Sequence, residues 1–67
     1  CEVYATDLMV GLLCQSEFTL YNIQTQQSLY RNSEVSEIQK TLDHGIQFTQ
    51  NQQVIHFTSS FEMQIIT

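Results

Sequence analysis

The chain has no proline, two glycines and two basic residues in 67 positions. Each scarcity removes a class of function. Arg31 and Lys40 are the only cations against seven acidic residues, a formal net charge of −5. Two cations cannot make an electrostatic footprint on a phosphate backbone, and no basic residues interleave with aromatics. Nucleic acid is therefore not an expected partner. Gly11 and Gly45 stand alone, so no glycine-rich phosphate loop exists. No apolar run approaches the roughly 18 residues of a membrane-spanning helix, so no transmembrane segment is expected. Two cysteines fall far short of a disulfide scaffold and allow at most one intramolecular bridge, Cys1 with Cys14. Charged residues make up only 13% of the chain, and ten glutamines and three asparagines take their place. Such a surface solvates without repelling and tends toward association.

What is present suffices for a core. Apolar residues amount to 42% and aromatics to 10%, which excludes wholesale disorder. Sixty-seven residues allow one small domain or a fragment of one. A domain this short buries only about 60% of its unfolded surface and needs a staple or a partner. The first residue is Cys1 rather than methionine, which suggests a processed product or a piece of a longer chain.

Hydrophobic periodicity gives a mainly antiparallel β reading. Leu8 to Leu13 is apolar on both faces and short, the pattern of a buried strand. From Glu17 the pattern alternates, with Phe18, Leu20 and Asn22 on one face and Thr19, Tyr21 and Ile23 on the other. Gln24 to Ser28 reads as a turn, and Ser28 to Arg31 as a short return strand. Val35, Ile38 and Leu42 fall at helical spacing, with serines to cap the start and Gly45 to end it. This predicts a short helix over 33–44. After Gly45 the period returns to two. Ile46 to Gln50, Val54 to Thr58 and a last strand carrying Phe61, Met63 and Ile65 form a three-strand meander. With the helix kept, the alternative is a small α+β domain.

A shift of 43 residues lays Leu12 on Ile55, Cys14 on Phe57, Ser16 on Ser59, Phe18 on Phe61 and Leu20 on Met63. The segment IQFTQNQQVIHFTSSFEMQII, Ile46 to Ile66, resembles the central strands of a degenerate WD-repeat blade. LMVGLLCQSEFTLYNIQTQQSLYR, Leu8 to Arg31, resembles the last strands of the blade before it. Tyr21-Asn22 then stands where the family has its Trp-Asp pair, and Asn51-Gln52 where it has Asp-Gly. The chain departs from the family in having no Trp-Asp, no Gly-His and no turn glycine. The resemblance covers about one and a half blades. It implies a segment of a β-propeller scaffold whose apolar residues pack against neighbouring blades.

Chemistry is weakly signalled. Cys1 with Cys14 and His44 with His56 lack zinc-ligand spacing. A Cys14–His44 nucleophile pair with Asp43 or Asp7 can be written, but no motif surrounds Cys14. Cys14 can equally be a small core residue. Neither catalytic residues nor a metal or other cofactor is expected. The expected function is a non-enzymatic protein–protein interaction module that pairs strands or packs an apolar face. Its expected contacts are Phe18, Leu20, Tyr21, Phe61, Met63 and Ile65, toward a protein partner or another copy of itself. The alternative is a small secreted or viral accessory domain stapled by Cys1–Cys14 that binds a host or cell-surface protein.

Overall fold

Alternation sets the strands, and none of the turns between them uses a left-handed glycine. A computed structural model describes all residues, 1–67. It holds eight strands: β1 Glu2–Ala5, β2 Met9–Cys14, β3 Glu17–Asn22, β4 Ser28–Asn32, β5 Val35–Lys40, β6 Ile46–Gln50, β7 Gln53–Phe57 and β8 Met63–Ile65. The first four form one antiparallel sheet in chain order, and the last four a second. No helix is present, and none is long and apolar enough to cross a membrane. The fold is thus mainly antiparallel β, as the periodicity indicates.

The helix expected over 33–44 is instead strand β5 with its following turn. The physical reason is a bulge. Ser36 pairs with Thr49 but Gln39 pairs with Gln47, so one extra residue is inserted in β5. Glu37 takes a left-handed φ of 53° there. The bulge brings Val35, which is buried, and Ile38, which packs against the core, to one face three residues apart. In sequence that spacing imitates a helical stripe. Leu42, the third member of the stripe, is fully exposed. Gly45 does not end the segment in a left-handed conformation; His44 does, at φ 65°.

Both glycines are needed for space. A Cβ on Gly11 would lie 2.6 Å from the Phe18 ring, and one on Gly45 would collide with the Phe57 carbonyl oxygen. The hairpin turns are left-handed without glycine. Gln15 and Ser16 join β2 to β3 at φ 52° and 67°, and Asn51 and Gln52 join β6 to β7 at 52° and 64°. Two left-handed residues in a two-residue loop match the right-handed twist of the flanking strands. A side chain in that conformation costs about 1 kcal/mol or more, whereas glycine adopts it freely. Gln52→Gly should therefore stabilise the chain by about 1 kcal/mol. Urea unfolding measures it; a neutral or destabilising result would mean that Gln52 is not held left-handed in solution.

The two sheets close on one core of Met9, Phe18, Leu20, Val35, Ile46, Phe48, Ile55 and Phe57. Phe48 is its centre. Its ring lies 5.2 Å from Phe18, 5.1 Å from Tyr30 and 6.1 Å from Phe57, centroid to centroid. Such tilted and stacked pairs add about 0.5–1.5 kcal/mol each beyond the area they bury. Cys1 and Cys14 form a disulfide that ties the start of β1 to the end of β2.

The manner of stacking follows from register. Cys14 pairs with Glu17 beside the first left-handed turn, and Gln50 with Gln53 beside the second. Hairpins of the same loop length and turn type point these flanking residues to the same side of the ribbon. In the first sheet that side is the outer one, because Met9, Gly11, Phe18 and Leu20 point inward. In the second sheet it is the inner one, with Ile46, Phe48, Ile55 and Phe57. The sheets therefore stack front to back, with β1 lying beside β5. The equivalent hairpins stand 36 positions apart, from Cys14 to Gln50. The 43-residue echo lays β2–β3 on β7–β8, one strand out of step with the strand order inside each sheet.

Candidate interaction surface

Alternation gives each sheet a second face, and the two outer faces differ in chemistry. On the first sheet, Val3 pairs with Leu12, and Val10 pairs with both Ala5 and Tyr21. These side chains share the outer face. Val3 is 61% exposed, and Val10, Leu12 and Tyr21 are half-buried by one another with no second layer above them. Val10, Tyr21, Asn22, Ile23 and Gln26 border a shallow open groove of about 380 Å³. Arg31 lies on the same face and donates from Nε to Glu17 Oε1 at 2.8 Å. Both partners of that pair are well exposed, so it contributes little to stability.

The outer face of the second sheet is polar. Ser36 pairs with Thr49, Gln39 and His56 with Gln47, and Gln64 with His56. Val54 is the one apolar strand residue among them. Thr41, Asp43 and His56 gather at its lower corner. The Thr41 hydroxyl donates to Asp43 Oδ1 and lies 3.5 Å from His56 Nε2. Asp43 Oδ1 lies 3.4 Å from His56 Nε2 and accepts from the Gly45 amide. The Thr41 hydrogen bond, aided by His56 and the Gly45 amide, holds the Asp43 carboxyl below its ordinary value. These bonds pin the β5–β6 turn to β7. Tyr30 donates to Gln50 Oε1 at 3.3 Å, and burial among the aromatic rings pushes its phenol up.

The expected contact residues divide. Phe18 and Leu20 are wholly buried, so the surface they meet is the chain's own second sheet. They are not available to another molecule, and this corrects the expectation. Tyr21 lies on the opposite face, in the groove. Phe61 sits in the β7–β8 turn at φ 65° and packs against the core. Met63 and Ile65 project from β8 at 52% and 56% exposure, beside Phe57 and Ile55 but beyond the cover of the first sheet. Structure thus brings Met63 and Ile65 together and leaves Tyr21 on a separate face. Val3, Val10 and Leu12 are surface residues that the sequence reading passed over. The signal for them was Leu8 to Leu13 being apolar on both faces. A sheet with one covered face needs apolar residues on one side only.

The cysteine and histidine side chains fall at separate places. Cys14 sulfur is in the disulfide, so no Cys14–His44 nucleophile exists in this state. His44 instead lies 3.6 Å from Asp7 at an exposed corner. No three or more His, Cys, Asp and Glu side chains lie close enough together to hold a metal ion. Compared with family profiles, with curated proteins and with solved structures, the chain matches none.

Proposed function

We propose that the chain is a non-enzymatic protein–protein interaction module that packs as part of a larger stacked β assembly of the propeller type. One observation carries this reading: two four-stranded meanders stack front to back in chain order, and an apolar face is left uncovered outside them. In a propeller each four-stranded blade buries its faces against its neighbours. Seven large hydrophobic residues stay exposed, among them Val3, Ile23, Met63, Ile65 and Ile66. A chain with only eight hydrophobic residues in its core gains stability as well as recognition when such surface is covered.

The disulfide supports a second reading, a stapled accessory domain of an oxidising compartment that binds another protein by the same exposed surface. Thermal unfolding of the purified chain, alone and with each protein that co-purifies with it, tests the interaction reading. A 1:1 mixture melting several degrees above the chain alone is expected, by mass action on the folded state. A melting temperature unmoved by every such protein, and by a roughly hundredfold change in concentration, would make the chain a self-sufficient domain.

A further inference from the structure

We infer that the outer face of the first sheet, centred on Val10, Leu12 and Tyr21, is a docking site for the apolar front of another four-stranded antiparallel sheet. The inference rests on the interaction reading and names its partner. The face repeats an interface the molecule already contains. Val10, Leu12, Thr19 and Tyr21 stand 36 positions before Ile46, Phe48, Ile55 and Phe57, on the same side of an equivalent hairpin. Those four later residues are buried and pack against the front of the first sheet, where Met9, Gly11, Phe18 and Leu20 lie. Three of their four counterparts are also large and apolar. What fits on this outer face is therefore a second front of that kind: aliphatic and aromatic, with a small residue opposite a ring.

Front-to-back contacts are heterologous, so the two ends of a stack differ. The other end here is the front of the second sheet. Its counterparts of Gly11, Leu13, Phe18 and Leu20 are Gln47, Thr49, Val54 and His56. That face is polar apart from Val54. In a head-to-tail stack a second copy would present this polar front, so head-to-tail self-stacking does not supply the partner. The occupant is a sheet outside residues 1–67, and it covers the β1–β4 side.

The test supplies such a sheet. A copy of residues 1–36 is placed directly ahead of Cys1 in the intact chain, which preserves the 36-position spacing. The probe is thus a known front, that of the first sheet itself. The expected product is a monomer of three sheets that melts about 5–10 °C above the 67-residue chain. Leu12→Glu in the resident sheet abolishes the gain, whereas Thr49→Glu on the polar face retains it. In the 67-residue chain Leu12→Glu leaves the melting temperature within a few degrees of the parent, which shows that the variant folds.

Two outcomes overturn the docking site. One is an extended chain that melts like the parent while its added segment is cut by protease. The other is a parent chain that dimerises through this face, with Leu12→Glu restoring the monomer, which makes the occupant a second copy. If a co-purifying protein still raises the melting temperature of the Leu12→Glu chain, the interaction reading stands and the contact lies elsewhere, at Met63 and Ile65 of β8.

Discussion

Phe48→Ala is expected to leave the chain largely unfolded at room temperature. Phe48 is fully buried, and its ring meets Phe18, Tyr30 and Phe57. Truncating a buried phenylalanine costs about 3–5 kcal/mol, from lost transfer free energy and from the cavity left behind. A domain of this length has a total stability of about 3–10 kcal/mol. The core is also shared between two sheets that have no other large contact, so its loss separates them. Phe48→Leu keeps most of the volume and should cost far less, about 1–2 kcal/mol. Circular dichroism and urea unfolding of both variants decide the matter. A native-like Phe48→Ala chain losing under about 1 kcal/mol would mean that the sheets are held together by something other than this aromatic cluster.

Removing the disulfide is the second large effect. The bridge closes a separation of 13 residues between Cys1 and Cys14. In the loop-closure account this is worth about 3 kcal/mol, acting mainly on the unfolded chain. In the folded chain it fixes β1, an edge strand whose only hydrogen-bonded neighbour is β2. Replacing both cysteines by serine should lower the melting temperature by roughly 10 °C or more. Amide exchange should rise first in Val3 to Ala5, because a short edge strand frays when its end is released. Reduction of the parent should add two hydrogens to its mass and reproduce the shift. An unchanged melting temperature after verified reduction would show that β1 is held by its pairing alone.

The strands were legible where one face is covered and the other is wet. Phe18 and Leu20 alternate with Thr19 and Tyr21, and the structure buries the first pair and leaves the second outside. Ile46 and Phe48, then Ile55 and Phe57, are inward on β6 and β7. The turn at Asn51-Gln52 was legible as a polar break. Strand β5 was not, because a bulge at Glu37 gives its buried residues the spacing of a helix. Periodicity reports which residues share a face, and a bulge changes that relation without changing composition. The 43-residue echo likewise found real strands but set them one strand out of step.

The candidate surface was legible only in part. Tyr21, Met63 and Ile65 lie outside the core. Phe18 and Leu20 carry the same signature of aromatic and aliphatic residues on a strand, yet they meet the chain's own second sheet. Sequence gives the two faces of a strand but not which face a second layer covers. The Thr41–Asp43–His56 corner joins residues from the β5–β6 turn and β7, and no local pattern announces it.

Composition by itself determined an acidic, glutamine-rich chain with two cations and no apolar run long enough for a membrane-spanning helix. Alternation determined most of the strands, because a half-covered sheet imposes a period of two on its side chains. The tertiary structure decided the rest: that the strands divide into two meanders, that these stack front to back, and that Val10, Leu12 and Tyr21 are left facing outward. Those facts depend on which faces meet across the core, and packing between layers, unlike the pleat of a single strand, leaves no period in the sequence.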